Sequence, residues 1–394
     1  MSSQSKPQIL MDMHSRIQAC MQNSSRYNRT ALEKTLLILS RGYAGGISAR
    51  NKAFDNGILR QHRLPCPVIA VGNLTVGGSG KTPMTVYLVE MFTQAGYRPA
   101  VISRGYKGKS EKTGGVVSDG SNVLLGPGHA GDEPFMMAKQ VKHVPFLVGA
   151  DRYAMGKAAL ARFSPDAIVL DDAFQHRRLY RDIDLMLMDA TVGFGNGYLL
   201  PRGILREPKA ALRRADAIVL TRANEPAPWI ETEISEIAPQ VPIFRAINRP
   251  FIYGIVRAGK EVPTHMDHPA DAEDFRFFRA ASVFGFSGIA RSLEFQRMMT
   301  EMSGRLVDFL DFPDHYYYTE SDWQWILKRA QELSVDYLVT TQKDYARLQG
   351  EMKAPVDMVI VGIQMDFGSD RDALRCFIRK ALGSGFFAQK RDGS

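Results

Sequence analysis

The sequence predicts an α/β protein: a mostly parallel sheet with helices on both of its faces, followed by a second, smaller α/β lobe. Apolar strand candidates alternate with helical stretches between residues 67 and 222, and these strands are almost continuously apolar. That pattern is typical of parallel strands covered on both faces. A glycine-rich turn joins the first strand to the first of these helices. The strand candidates are 67–72, 99–103, 144–148, 167–171, 184–188 and 216–220, and the helices include 83–95, 133–141 and 151–162.

The glycine-rich turn has the pattern of a phosphate-binding loop, which predicts a sheet like that of the P-loop NTPases. Glycines let successive backbone N–H groups point at one place, and the helix dipole that follows favours an anion there. In such loops the lysine reaches the β- and γ-phosphates, and the next hydroxyl binds Mg²⁺. Position 75 is threonine, where the general pattern has glycine. The predicted nucleotide-binding residues are Thr75, Val76, Gly77, Gly78, Ser79, Gly80, Lys81 and Thr82.

Length and composition indicate a globular protein with two domains. The chain has 394 residues, of which 45% are hydrophobic and 23% charged, and this is longer than one typical domain. Cys20, Cys66 and Cys376 lie far apart without C-x-x-C spacing. This argues against a disulfide framework or a zinc site and fits a reducing cytosol. We find no signal peptide, and no apolar run reaches the length of about 18 residues that a transmembrane helix needs.

The net charge of +8 is concentrated near the N-terminus, where residues 1–65 contain ten Lys or Arg and three Asp or Glu. Within this segment Leu32, Leu36, Leu39, Tyr43 and Ile47 recur at helical spacing. The glycines at 42, 45 and 46 are expected to weaken this helix and to end it early. A basic amphipathic helix can lie in a membrane interface. It can equally pack its apolar face on the core, and the residues alone leave both alternatives open.

Three segments are expected along the chain: an extension at 1–28, a phosphate-loop domain with the basic helix at 29–225, and a C-terminal α/β lobe at 226–385. A linker is expected at 224–228, where the sequence is Asn-Glu-Pro-Ala-Pro. The second lobe has no second phosphate loop. Its predicted strands are 242–246, 253–257, 280–286, 305–310, 336–341 and 357–361, and its predicted helices are 290–302, 320–333 and 370–382.

Polar side chains follow several strands, at the edge where parallel sheets bind ligands. Asp171 and Asp172 end the strand 167–171. An aspartate at this point of a P-loop protein helps to hold Mg²⁺, so the predicted metal-binding residues are Thr82, Asp171 and Asp172. Other polar groups at strand ends or helix starts are Arg104, Asp132, Arg152 and, in the second lobe, His315.

Together these stretches resemble the tetraacyldisaccharide 4′-kinases of lipid A synthesis. They run in the family's order from about residue 30 to 380, and the threonine at 75 belongs to the family's own loop. Ala173 stands where the family usually has glycine, and Gln342 where glutamate is common. The resembling stretches are Val71-Gly72-Asn73-Leu74 continuing through the loop to Pro83, Ser103-Arg104-Gly105-Tyr106, Gly131-Asp132-Glu133-Pro134, Asp171 to Arg178, Leu205-Arg206-Glu207-Pro208, Phe312-Pro313-Asp314-His315 and Thr340-Thr341-Gln342-Lys343-Asp344.

The resemblance implies transfer of the γ-phosphate of ATP, with Mg²⁺, to the 4′-hydroxyl of an acylated disaccharide 1-phosphate, giving lipid IVA. It implies a peripheral protein on the cytoplasmic face of the inner membrane, and so favours the membrane alternative for the basic helix. By motif match, Asp132 is the general base and His315 its partner, while Lys81 neutralises charge on the transferred group. Arg104, Arg152, Gln175, His176, Arg206 and Glu207 match positions of phosphate or substrate contact.

Two other classes of protein compete with this interpretation. Membrane-associated P-loop ATPases of the partitioning or targeting type have a lysine directly before the paired glycines, where this chain has Val76. ATP turnover without a lipid acceptor would favour that class. A nucleotide-gated module that binds nucleic acid through the basic N-terminus is the second alternative. No helix-turn-helix or aromatic-basic RNA motif supports it, so no nucleic-acid partner is expected. The oligomeric state is not predicted.

Overall fold

The structure, a computed structural model, describes residues 17, 20, 21, 30–258, 275–314, 316–348 and 356–383. It consists of two compact units. The first comprises Met1–Lys81, Leu170–Ile247 and Phe367–Ser394, and the second Thr82–Val169 and Asn248–Asp366. The extension expected at 1–28 lies almost entirely outside the described residues. The division at 28/29 and 225/226 stays a prediction.

The described strands and helices alternate along the chain as an α/β protein requires. The strands are β1 (Val68–Asn73), β2 (Pro99–Ser103), β3 (Gly115–Asp119), β4 (Pro145–Val148), β5 (Ala167–Leu170), β6 (Ile183–Asp189), β7 (Ala217–Thr221), β8 (Ile243–Arg245), β9 (Ile247–Val256), β10 (Ser282–Ser287), β11 (Arg305–Asp311), β12 (Tyr337–Thr341) and β13 (Asp357–Asp366). The α-helices are α1 (Ala31–Asp55), α2 (Lys81–Gln94), α3 (Pro127–Ala130), α4 (Asp132–Gln140), α5 (Arg152–Phe163), α6 (Pro228–Ile237), α7 (Ser292–Met302), α8 (Glu320–Glu332), α9 (Gln342–Tyr345) and α10 (Arg371–Leu382).

In the first unit, β1, β6, β7 and β8 pair in this order, and all three pairings are parallel. Every residue of β1, β6 and β7 is buried, as their continuous apolar sequences predict. A Cβ at Gly72 would lie 2.5 Å from the Cβ of Phe174. Only glycine therefore allows the end of β1 to approach the segment after β5 this closely.

In the second unit, β4 pairs in parallel with β2 and antiparallel with β3, a strand that the sequence analysis did not predict. A five-stranded sheet has the order β11-β10-β12-β13-β9. Its strands alternate between two apolar clusters: Phe284 and Leu338 belong to one, Val283 and Val339 to the other. Such alternation places the clusters on opposite faces of the sheet.

The basic helix α1 runs through to Asp55, so the expectation that its glycines end it early was wrong. A capping box of Thr30 and Glu33 fixes its start. Ser40 Oγ donates to the carbonyl of Leu199 (2.9 Å), and Arg177 pairs with Asp55 near its end. These tertiary contacts compensate for the low helix propensity of glycine. Across the described ranges, no helix is long and apolar enough to cross a membrane.

The predicted fold class is confirmed, and most of the predicted elements lie within two residues of the observed ones. The deviations are local. Strand β9 starts six residues before the predicted strand at 253, and β13 continues five residues beyond 361. Helix α6 was not predicted; it starts at Pro228, the last residue of the expected linker, where proline suits the first helical turn.

Candidate active site

The phosphate-binding loop lies between β1 and α2, as the strand–turn–helix pattern predicts. Gly77 and Gly80 have φ angles of +108° and +84°, which other residues adopt only with strain. Asn73, the last residue of β1, donates from Nδ2 to Ser79 Oγ at 2.8 Å inside the protein. Helix α2 begins at Lys81, so the loop ends at a helix N-terminus, a favourable place for phosphate.

A second segment of the first unit pairs with the first half of this loop. The amide of Val76 donates to the carbonyl of Ile204 at 2.8 Å, and the amide of Arg206 donates to the carbonyl of Leu74 at 2.6 Å. The backbone of Arg206 is therefore fixed directly beside the phosphate loop. This explains why a motif about 130 residues further along the chain belongs to the same site.

The two predicted metal-binding carboxylates follow β5. Asp171 is 2% exposed, whereas the side chain of Asp172 is 31% exposed and lies between two cations. Lys81 Nζ is 3.7 Å from its Oδ1, and Arg206 Nη1 is 2.9 Å from the same oxygen. Asp172 has a left-handed backbone, with φ of +48°. Strained non-glycine residues of this kind concentrate at functional sites.

Gln175 links the charged side chains of Lys81, Asp172 and Arg206 to the strand that precedes the loop. Its Oε1 accepts a long hydrogen bond of 3.5 Å from Arg206, and its Nε2 donates to the carbonyl of Asn73 at 2.9 Å. His176, the next residue, is half-buried. The structure thus brings four of the predicted site residues, Lys81, Asp172, Gln175 and Arg206, into one connected cluster.

Glu207 is placed differently from its neighbour Arg206. Its side chain has no solvent exposure. Asn51 Nδ2 donates to its Oε2 at 2.7 Å, and Arg214 Nη1 donates to the same oxygen at 2.9 Å. The carboxylate therefore joins α1 to the segment after Arg206. This geometry is that of a supporting residue, and its predicted contact with substrate stays a prediction.

In the second unit, the predicted base Asp132 is the first residue of α4 and is 7% exposed. Arg347 Nε donates to its Oδ2 at 2.9 Å, and Tyr317 Oη lies 3.4 Å from its Oδ1. Burial, followed by the nearby Asp132 charge, raises the pKa of Tyr317. His315, the predicted partner of Asp132, lies outside the described residues, so its pairing with Asp132 stays a prediction.

The two remaining predicted arginines also belong to the second unit. Arg104 is 57% exposed at its side chain, and its Nε donates to Glu111 at 2.6 Å. Arg152 is only 4% exposed. Its Nη1 donates to the carbonyls of Gly149 and Ala150, both at 3.2 Å. Arg104 is accessible to an anion, whereas Arg152 holds the turn that leads into α5.

The sequence analysis missed several residues with contacts to these groups, and three of them come from distant parts of the chain. Arg347 contacts Asp132, while Thr221 and Arg222 contact the phosphate loop. Arg347 lies three positions after the motif that ends at Asp344. Thr221 and Arg222 directly follow the apolar run 216–220, and this position at a strand end was a usable signal.

The strand–loop–helix geometry, the lysine paired with a carboxylate and the acidic strand end define a P-loop protein that binds nucleoside triphosphate. A profile of the family described as tetraacyldisaccharide-1-P 4′-kinase matches residues 32–383. The chain belongs to this family of tetraacyldisaccharide 4′-kinases, and the resemblance seen in the sequence is confirmed.

Individual relatives support the same assignment. The tetraacyldisaccharide 4′-kinase of Syntrophus aciditrophicus (strain SB) is 37% identical over 350 residues, which cover 86% of this chain and 91% of that protein. The enzyme of the same name from Syntrophobacter fumaroxidans is 40% identical over 323 residues, covering 81% of each. A crystal structure of LpxK from Aquifex aeolicus in complex with ATP has a TM-score of 0.69 and 32% identity, and covers 89% of this chain and 100% of that one.

Proposed function

We propose that this chain transfers the γ-phosphate of ATP to the 4′-hydroxyl of a tetraacylated glucosamine disaccharide 1-phosphate, with lipid IVA as the product. The bond between the 4′-oxygen and the γ-phosphorus forms, the bond from that phosphorus to the β,γ-bridging oxygen breaks, and ADP leaves. The hydroxyl proton passes to a carboxylate. The family match over residues 32–383 carries this proposal.

Charge neutralisation at the transferred phosphate is assigned to the loop and Lys81. Phosphoryl transfer needs little covalent help from the protein and depends on alignment and electrostatics. The contact of Lys81 with Asp172, 3.7 Å between Nζ and Oδ1, orients the ammonium group at the start of α2. Arg206 shares the same carboxylate, so a second positive charge is held beside the loop.

Mg²⁺ is proposed to bind at Thr82 with Asp171 or Asp172. A hydroxyl and one or two carboxylates are the oxygen donors that Mg²⁺ takes from proteins when a phosphate completes its shell. The donor set therefore fits, although no cluster of three or more His, Cys, Asp or Glu suited to a metal occurs among the described residues. When bound, the ion would neutralise charge on the β- and γ-phosphates.

Asp132 is proposed as the general base that accepts the proton of the 4′-hydroxyl. Its Oδ2 accepts from Arg347 Nε at 2.9 Å and its Oδ1 lies 3.4 Å from Tyr317 Oη, and these contacts orient the carboxylate. His315 is proposed to support it, as the family match implies. A positioned base is valuable here because a sugar hydroxyl is a poor nucleophile near neutral pH.

Contact with substrate or phosphate is proposed for Arg104, Arg152, Gln175, His176, Arg206 and Glu207. The exposures of Arg104 and Arg206, 57% and 25% at the side chain, suit direct contact with an anion. For Arg152 and Glu207, which are both buried, the contacts favour an indirect role. Arg152 holds the turn before α5, and Glu207 joins α1 to the segment after Arg206.

A peripheral position on the cytoplasmic face of the inner membrane is proposed for the protein, with α1 in contact with lipid. Ile38 and Leu39 are 68% and 55% exposed on this helix. The segment around them is basic, and a basic surface attracts anionic lipid. An acylated substrate would be met at the same surface.

The proposal is tested by incubating the protein with γ-labelled ATP, Mg²⁺ and the acylated disaccharide 1-phosphate in detergent micelles. We expect label in the disaccharide and none with the Lys81→Ala variant. Lys209→Ala is the matched control, because Lys209 is a surface lysine of the same unit paired with Glu233. Release of ADP at the same rate with and without the acceptor would instead favour an ATPase.

A further inference from the structure

We propose that Thr221 and Arg222 are positioning residues of the phosphate loop, which hold two successive loop carbonyls and so fix the shape of the loop that binds the phosphates of ATP. This inference rests on the proposed function, because it takes ATP as the ligand of the loop. It concerns binding of the nucleotide and not of the disaccharide. It adds two residues outside the glycine-rich motif to the nucleotide site.

The contacts are made by consecutive residues at the end of β7. Thr221 Oγ1 donates to the carbonyl of Ser79 at 3.1 Å, and Arg222 Nη1 donates to the carbonyl of Gly78 at 2.9 Å. Thr221 has no solvent exposure. Two adjacent carbonyls of the glycine-rich loop are thus held by two adjacent side chains, from the last residue of β7 and the residue after it.

Arg222 is itself held in place from the neighbouring strand. Its Nη1 also pairs with Asp189, the last residue of β6, whose side chain is 5% exposed. The other carboxylate oxygen of Asp189 accepts from the amide and the hydroxyl of Thr191, at 2.9 and 2.7 Å. The guanidinium group therefore reaches the loop from a position fixed by β6 and β7 together.

Backbone conformation gives an independent observation. Among the described residues of the first unit, Asp172 and Arg222 are the two non-glycine residues with positive φ, at +48° and +54°. Both lie against the phosphate loop: Asp172 contacts Lys81, and Arg222 contacts Gly78. Strained residues persist where function requires their geometry, and glycine would adopt this conformation without strain.

The consequence for ATP follows from peptide geometry. In a trans peptide the C=O and the N–H point in opposite directions. A Ser79 carbonyl held by Thr221 therefore directs the Gly80 N–H away from β7. The Ser79 N–H already closes a tight turn onto the Gly77 carbonyl at 3.1 Å. With the Gly78 carbonyl held by Arg222, the loop keeps one shape, and its amides form a preorganised concave site for an anion.

The experiment measures ATP affinity by calorimetry, together with the melting temperature, for Arg222→Gly and Thr221→Val. We expect each variant to raise the Kd for ATP about tenfold, the effect of weakening one hydrogen bond from a loop amide to the charged phosphates. Arg222→Gly relieves the left-handed backbone but leaves the buried Asp189 without its cation, so it should melt lower than the parent. Thr221→Val changes no charge and should melt close to the parent.

Arg213→Gln is the matched control, since Arg213 also donates to a backbone carbonyl, that of Ile237 at 2.9 Å. It should bind ATP like the parent. Thr221→Val is the deciding variant, because it keeps the shape of the residue and removes only the hydroxyl. Parent-like ATP affinity in Thr221→Val overturns the inference.

The two proposals fail in different ways. A parent protein that binds no ATP overturns the proposed function. If the parent binds ATP but phosphorylates no disaccharide, the proposed acceptor is wrong. The role of Thr221 and Arg222 is then still supported when their variants bind ATP more weakly than the parent.

Discussion

Arg347 Nε donates a hydrogen bond of 2.9 Å to Oδ2 of Asp132, although the two residues are 215 positions apart in the chain. Both side chains are buried, with exposures of 1% and 7%. The Nη1 of Arg347 donates to the carbonyl of Gly288 at 2.8 Å and lies 3.4 Å from Asp344. Burial raises the pKa of Asp344, while its bond from Thr341 and the Arg347 charge act in the opposite direction. One guanidinium group thus balances two carboxylates, one of them the proposed base.

Replacing Arg347 by Met should lower the free energy of unfolding by about 3–5 kcal/mol, because it leaves two buried carboxylates without their cation. Arg347→Lys should cost less, since it keeps the charge. Urea unfolding measures both. The control is Arg329→Met, which breaks a half-exposed ion pair with Asp308 and should cost at most about 1 kcal/mol. Equal losses in Arg347→Met and Arg329→Met would contradict this prediction.

Asp132→Asn should reduce kcat by roughly 10²- to 10⁴-fold with little change in the KM for ATP, the usual contribution of a general base. Asparagine keeps an oxygen to accept from Arg347, so the fold should survive. His315→Ala should have a similar effect. If the two residues act as one unit, the double variant should be little worse than either single variant. Steady-state kinetics of the three variants measure the loss of kcat in each. Fully additive losses would show that Asp132 and His315 act separately.

Removal of divalent cations by EDTA should abolish the activity of the parent, and Ala at Asp171 or Asp172 should lower turnover strongly. Excess Mg²⁺ should partly restore at least one of these variants. Asp172→Ala should be harder to restore, because it also removes the carboxylate that orients Lys81 and Arg206. A Mg²⁺ titration of kcat separates the two variants. Glu332→Ala, at an exposed ion pair with Lys328, serves as the control, and activity of the parent without divalent cation would disprove the metal assignment.

Membrane association should depend on the exposed side chains of α1 and not on the buried ones. Ile38→Ser combined with Leu39→Ser should lower binding to anionic vesicles at least about tenfold, since each buried apolar side chain contributes about 1.5–3 kcal/mol. Stability should change little. Leu36→Ser is the contrasting variant, because Leu36 is 6% exposed and its loss should lower the melting temperature. Binding by the parent should also weaken with salt.

Substitutions test the membrane role of α1 more cleanly than truncation. Deleting residues 1–48 is expected to weaken vesicle binding more than ATP binding, but it also removes Glu33, the ion-pair partner of Arg202, whose side chain has no solvent exposure. An uncompensated buried arginine would lower stability as well. Equal vesicle binding by the parent and the doubly substituted protein would disprove the membrane role of Ile38 and Leu39.

The sequence predicted features that depend on local chemistry and missed those that depend on tertiary contacts. Short-range patterns predicted strand β1, the glycine turn with Lys81 and the acidic end of β5. The structure has all three where they were expected. The length of α1 was mispredicted because contacts such as Ser40 with Leu199, 159 positions apart, outweigh three glycines. The contact of Asp132 with Arg347 could not be predicted, because nothing near Arg347 in the sequence indicates that its guanidinium group is buried.

Arg206 and Glu207 are adjacent in sequence, yet their substitution should have opposite consequences. Glu207→Gln should lower the free energy of unfolding by about 1.5–3 kcal/mol, because the hydrogen bonds from Asn51 and Arg214 lose their charged acceptor inside the protein. Arg206→Gln should barely affect unfolding, because the Arg206 side chain is 25% exposed and its ion pair with Asp172 is partly solvated. It should instead lower kcat/KM, since a cation beside the phosphate loop is lost.

Urea unfolding and kcat/KM, measured on both variants, distinguish the two roles. Activity per folded molecule should be largely kept in Glu207→Gln at a temperature well below its melting point. Arg214→Gln, which removes one of the two arginines that pair with the buried Glu207 carboxylate, should also lower stability without a catalytic defect of its own. A Glu207→Gln protein with parent stability and a raised KM for the disaccharide would show instead that Glu207 contacts the substrate. In that case the carboxylate must leave its buried position between Asn51 and Arg214 when the substrate binds.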